Sequence, residues 1–143
     1  MGDSITEGAS ASTKEKGYVD VFAAGLRARF PKAEIKVVQL GVGATSCFQW
    51  LTPKPPADFK RVAEVKPDLV TVEFINDRKR TADQARQAYC DLLRRISALS
   101  AECILVTPPF TAPQLMGFKS QPPQENNAYV FVLRELARNS KVM

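Results

Sequence analysis

Apolar residues recur along this chain with two periods, and the change from one to the other marks its elements. From Tyr18 to Phe30 the positions Val19, Phe22, Ala23, Leu26 and Phe30 share one helical face, and Pro31 ends the run. Ile35 to Leu40 reads as a short strand closed by Gly41 and Gly43. Asp58 to Val65 reads as a short helix with Phe59, Val62 and Ala63 inward, broken at Lys66-Pro67. Leu69 to Phe74 is nearly unbroken in β-formers, as in a strand covered on both faces. Thr81 to Leu99 is the clearest helix: Ala85, Tyr89, Leu92, Ile96 and Leu99 repeat by four and three, and Thr81 with Gln84 forms a capping box. Cys103 to Thr107 is a second buried strand, stopped by Pro108-Pro109. A long loop to about Gln124 precedes a helix over 125–139, although its Tyr129-Val130-Phe131-Val132 run also suits a strand.

The alternation of helix and strand predicts a single α/β domain over 1–143, a parallel sheet with right-handed crossovers and helices on both faces. In such sheets function collects in the loops after the carboxyl ends of the strands. That rule singles out the turn at 2–8, the glycine turn at 41–46, and Asn76-Asp77. The first of these should follow a strand, yet none precedes it. The chain stops at Ser140-Lys141-Val142-Met143, where another strand could start. The expectation is therefore a fragment of a longer reading frame.

Composition narrows the function. Hydrophobic residues make up 45% of the 143 and charged residues 24%, as in an ordinary globular domain. The net charge of +5 is dense only at Arg78-Lys79-Arg80 and Arg94-Arg95, without interleaved aromatics, which argues against nucleic-acid binding. No apolar run is long enough to span a bilayer, and the N-terminus lacks the pattern of a signal peptide. Three cysteines, Cys47, Cys90 and Cys103, are too few and too scattered for a disulfide framework or a zinc site. The glycine turn is neither a Walker loop nor a dinucleotide fingerprint. No metal and no cofactor is expected.

The serine turn opens the way a serine hydrolase can, and an ester hydrolase of this architecture needs a hydroxyl, donors for a developing oxyanion, and a base held by a carboxylate. Ser4 supplies the hydroxyl, and its own N–H can point at the same oxygen. Glycines after the next strand let backbone amides approach a substrate, and Asn76 offers a side-chain amide. The base is the difficulty, because the sequence contains no histidine. Asp3 and Asp77 are nearby carboxylates, and an ordinary aspartate is a feeble base for a serine hydroxyl.

Gly2-Asp3-Ser4-Ile5-Thr6-Glu7-Gly8, Gly41-Val42-Gly43-Ala44-Thr45 and Val72-Glu73-Phe74-Ile75-Asn76-Asp77 resemble, in order and spacing, the first three motif blocks of the SGNH/GDSL esterase–lipase family. The resemblance implies a flavodoxin-like three-layer α/β/α sandwich and metal-free hydrolysis of acyl or acetyl esters of small molecules, glycans or lipids. It implies Ser4 as nucleophile, with the Ser4 amide, Gly43 and Asn76 as oxyanion hole and Gly41 as the second choice of glycine. Gln39, Ala44 and Phe74 depart from the family pattern. The last block, Asp-x-x-His, is missing, and so is the first strand, which in this fold is interior. The sandwich should therefore be incomplete and the 143-residue chain nearly inert. The alternative is a non-catalytic ligand-binding domain of the same fold.

Asp3, Gly41, Trp50, Phe110 and Phe118 are the residues expected to line the substrate site. For Trp50 and the 108–124 loop the competing reading, cover for the edge of the core, stays equally open. Glu73, inside a buried strand, should have a backbone amide or an arginine as partner, since an unpaired carboxylate there is costly.

Overall fold

Two strands, β1 (Leu69–Val72) and β2 (Glu102–Leu105), pair in parallel, with Leu69 opposite Glu102 and Val72 opposite Leu105. The computed structural model describes residues 1–9, 11–52, 54–108 and 127–139, and of Lys14 only the backbone. Two isolated parallel bridges extend the sheet, since Gly2 pairs with Glu73 and also with Gly41. Val42 N–H donates to the Gly2 carbonyl at 3.0 Å, and Glu73 N–H donates to the Met1 carbonyl at 3.3 Å. Across the sheet the segments therefore stand in the order 41, 2, β1, β2. Gly2 is a glycine for cause: a β-carbon there would overlap the Glu73 carbonyl and the Thr6 hydroxyl.

Six helices surround this sheet among the described residues: α1 (Ser4–Glu7), α2 (Tyr18–Arg29), α3 (Cys47–Leu51), α4 (Lys60–Val65), α5 (Ala82–Ala98) and α6 (Ala128–Asn139). Short 3₁₀ turns occupy Lys14–Lys16 and Ile75–Lys79. Helix α5 buries Ala85, Ala88, Tyr89, Leu92 and Ile96, the face its sequence period marks out, and Thr81 with Gln84 caps it as expected. Helix α6 settles the ambiguity of its β-prone run. Asn127 Oδ1 accepts from the N–H groups of Tyr129 and Val130, which starts a helix. Its buried stripe of Tyr129, Val132, Leu133 and Leu136 then packs on α5, while Phe131 points outward at 61% exposure. Arg86 and Glu135 pair across the two helices at 2.7 Å. No helix among the described residues is long and apolar enough to cross a membrane.

Several expectations need correction. Residues 35–40 form no strand, because among the described residues no segment pairs with them; Gly41, next in the chain, makes a single parallel bridge to Gly2. The strand expected over 69–74 ends at Val72 and continues only as the Glu73 bridge. The helix expected from Asp58 begins at Lys60. Phe22 and Phe30, placed inward by the helical period, are 45% and 50% exposed. The chain is thus an α/β protein with a small parallel sheet. The loop over 109–126, with Phe110 and Phe118, lies outside the described residues.

Candidate active site

Ser4 is the first residue of α1, and the acid before it closes that helix. Asp3 Oδ1 accepts from Ile5 N–H at 3.0 Å. Asp3 Oδ2 accepts twice from Asn76, from its backbone N–H and from Nδ2, each at 3.1 Å. Asn76 Nδ2 also donates to the Thr45 carbonyl at 2.8 Å. One buried carboxylate and one amide therefore tie the serine turn, the glycine turn and the loop after β1 into one cluster. Glycine 8, at φ 98°, then turns the chain out of the short helix, accepting a left-handed backbone that other residues avoid.

The two glycines of the second turn have different surroundings. A β-carbon at Gly41 would collide with the backbone of Thr6 and Glu7, and Gly41 N–H donates to the Gln39 side chain at 3.3 Å. Gly41 is thus a packing residue against α1. A β-carbon at Gly43 would stand 3.9 Å from that of Ser4, with the Glu7 carboxylate as its nearest neighbour at 2.8 Å. Among the described residues neither Gly43 N–H, Ser4 N–H nor Ser4 Oγ has a hydrogen-bond partner. Gly43, rather than Gly41, lies beside the half-buried serine with an amide that has no partner among the described residues.

The floor of the site is acidic. Burial pushes the Asp3 carboxyl up, and the N–H donors from Ile5, Asn76 and Ile75 oppose that rise. Asp77 is pushed up by burial too, against donation from Cys47 N–H at 3.1 Å and from Tyr89 Oη at 3.0 Å. Tyr89 Oη is in turn 2.8 Å from Tyr129 Oη, so this buried chain of hydroxyls runs from the Asn76-Asp77 loop to α6. Glu73 has no arginine partner, contrary to expectation. Its Oε2 accepts from Thr6 Oγ1 at 3.4 Å, and Thr6 is 2.9 Å from the Tyr18 hydroxyl. Its Oε1 has no hydrogen-bond partner among the described residues. Burial lifts this carboxyl to about 8, so at neutral pH it is largely a neutral acid and avoids the cost of a buried charge.

Of the residues expected at the substrate site, Asp3 and Trp50 are both 0% exposed. Trp50 donates from Nε1 to Thr45 Oγ1 at 3.2 Å and lies under the Arg61 guanidinium, inside the core. Cys47 is buried as well, and burial pushes its thiol far up, away from thiolate chemistry. Sequence reasoning missed Thr45 and Gln39. Thr45 receives Asn76, and Gln39 Nε2 donates to the Thr6 carbonyl at 2.9 Å. It also missed α3, although Ser46-Cys47-Phe48-Gln49 carries a legible start signal: Gln49 Oε1 accepts from Ser46 N–H at 2.9 Å. A 470 Å³ cleft lined by Glu7, Glu15, Asp20, Gln39 and Gly41 opens beside α1, but Ser4, Gly43 and Asn76 are not among its walls.

This union of a serine turn, a glycine turn and an asparagine around one buried aspartate coincides with a match of residues 1–143 to the GDSL-like Lipase/Acylhydrolase family. The chain belongs to this family. None of the curated proteins matches it. As a member of a lipase and acylhydrolase family, it is related to ester-hydrolysing enzymes that act on small-molecule esters. In this GDSL-like chain the described residues include no cluster of ligands able to hold a metal ion.

Proposed function

We propose that the chain is the serine-bearing part of an ester hydrolase for acyl or acetyl esters, and that Ser4 is its nucleophile. The observation that carries this reading is the approach of Gly43 to Ser4 with both of their amides unengaged. Ser4 Oγ attacks the ester carbonyl, and the Ser4 and Gly43 N–H groups receive the oxyanion. Donors of this kind are worth roughly 3–4 kcal/mol each in the transition state. Asn76 contributes differently from the simple expectation. Both of its amide hydrogens already serve Asp3 and the Thr45 carbonyl, so it reaches an oxyanion only by sharing one of them. Its first task is to hold the three loops together. Asp3, wholly buried, is scaffold rather than substrate contact.

The proton of Ser4 needs an acceptor, and the sequence holds no imidazole. Asp3 and Asp77 are poor substitutes, since both are buried: the Asp3 oxygens accept from Ile5 and Asn76, Asp77 Oδ2 accepts from Cys47 N–H and Tyr89, and Asp77 Oδ1 lies 4.0 Å from Arg80 Nε. The 143-residue chain is therefore nearly inert by itself. A ligand-binding domain without turnover is the second reading, favoured by that same lack of histidine.

Hydrolysis of p-nitrophenyl acetate, with and without added imidazole, separates these readings. The expected result is no Ser4-dependent release of p-nitrophenol in buffer and, with imidazole, a release above imidazole's own reaction with the ester that is lost in Ser4→Ala. Equal rates for Ser4→Ala and the parent chain in imidazole would remove the nucleophile assignment. Ser4-dependent turnover without imidazole would contradict the claim that the base is lacking.

A further inference from the structure

One charged side chain stands beside the serine and its glycine. Glu7 ends the short helix that Ser4 begins, and residues three apart on a helix share a face. A β-carbon built on Gly43 would lie 2.8 Å from Glu7 Oε2 and 3.9 Å from the Ser4 β-carbon. The carboxylate and the serine therefore flank one backbone position, whose amide has no partner among the described residues. They stand closer together than the Debye length of about 10 Å at 0.1 M salt, so a charge on one acts on whatever reacts at the other.

Little around Glu7 cancels its charge. The residue is exposed, and among the described residues it makes no ion pair. The cleft beside α1 that Glu7 helps to line adds Glu15 and Asp20 to its walls and no basic residue. In the loop that bears Asn76, Arg80 already has partners for its charge. Its guanidinium lies 4.6 Å from the Phe48 ring centre, and its Nε lies 4.0 Å from Asp77 Oδ1. An ester held at Ser4 therefore meets a negative charge on the Gly43 side.

We propose, building on the assignment of Ser4 as nucleophile, that Glu7 sets the charge preference of this site: esters with a cationic acyl group, such as one ending in a quaternary ammonium, are favoured, and anionic ones are disfavoured. The cation is drawn toward the carboxylate as Ser4 Oγ closes on the carbonyl, and an anion is pushed away from the same place. An exposed charge acting through water supplies a factor of a few in rate, and salt weakens it.

Three p-nitrophenyl butanoates test this, ending in a trimethylammonium, a tert-butyl or a sulfonate group of similar size. Each is given to the parent chain, Glu7→Gln and Glu7→Lys in imidazole at low ionic strength, with Ser4→Ala as the blank. In the step followed, the bond from Ser4 Oγ to the acyl carbon forms as the bond to p-nitrophenolate breaks, and the serine proton passes to imidazole. Acid-quenched samples are mapped by mass spectrometry for acylated Ser4. Relative to the tert-butyl ester, the cationic ester should acylate Ser4 about 3-fold less well in Glu7→Gln than in the parent chain, and the sulfonate about 3-fold better. Glu7→Lys should reverse the parent's order, and about 0.5 M salt should remove most of the difference. A residue that only positions Ser4, or takes its proton, would change all three esters alike, and that outcome overturns the proposal. So do equal ratios in the parent chain and Glu7→Gln, or ratios that salt does not move. Acylation of Ser4 without charge preference overturns this inference alone. A Ser4 that even the tert-butyl ester leaves unmodified overturns the nucleophile assignment and the inference with it.

Discussion

The two ends of the small sheet differ sharply. At the serine end, Asp3, Asn76, Thr45, Gln39 and Gly41 are joined by side-chain to backbone hydrogen bonds, and Gly2 and Gly41 let backbones meet where a β-carbon would collide. At the other end, Val38, Leu69, Ile104 and Phe22 stand open around a groove. The serine end is fixed by contacts that each require a particular residue, whereas the groove end has apolar surface with nothing specific upon it. Substitutions should therefore be costly at the first and cheap at the second.

The largest effect expected is one of pH at Glu73. Its folded carboxyl is raised to about 8 from an ordinary 4.5, so the folded chain holds a proton that the unfolded chain releases. That stabilisation is complete below about pH 4.5 and fades as pH rises through 8. Its slope approaches about 1.4 kcal/mol per pH unit at most. The Met1 amine, lowered to about 6 from 8.0 by burial, has the opposite slope between 6 and 8. The Glu73 effect should therefore be clearest from pH 4.5 to 6. Urea midpoints across this range should fall for the parent chain and flatten for Glu73→Gln.

Gly41→Ala comes next. Its new methyl meets the Thr6–Glu7 backbone, which cannot move aside cheaply, and the expected loss is about 3 kcal/mol, or roughly 10 °C in melting temperature. Gly25→Ala, in α2 with open space around it, should instead be neutral or stabilising by up to about 1 kcal/mol. Equal losses at the two glycines would erase the contrast. Asp3→Ala strands the N–H groups of Ile5 and Asn76 and should cost about 2 kcal/mol. The smallest effect is expected at the groove. Leu69→Thr changes a side chain already 42% exposed, so thermal denaturation should move by less than about 0.5 kcal/mol.

How much of this was legible in the residues follows the same divide. Helix α5, with its four-and-three repeat and Thr81–Gln84 cap, was readable almost to its ends, since burial, period and capping agree there. So were the core runs of β1 and β2. The strand at 35–40 was not, because strand formation depends on a neighbour and no local pattern reports whether one is present. At the site, the motif order pointed to Ser4, Gly43 and Asn76, and it concealed the hydrogen bonds that Asn76 makes. The two acceptors of its amide, Asp3 and the Thr45 carbonyl, come from segments 73 and 31 residues away. Asp3 is expected at the substrate face as the neighbour of Ser4, and Trp50 either there or as cover for the edge of the core. Their complete burial is a tertiary fact that residue type does not encode.

Acylation is the step that bears most directly on Ser4. When the chain is treated with p-nitrophenyl acetate and imidazole, Ser4 Oγ should bond to the acetyl carbon as p-nitrophenolate leaves, with the serine proton passing to imidazole. Acid quenching at early times should catch this ester before imidazole-assisted deacylation removes it. Peptide mapping by mass spectrometry is expected to place one acetyl group on Ser4 and none at that peptide in Ser4→Ala. An unmodified Ser4 beside acetylated lysines or other serines would contradict the account.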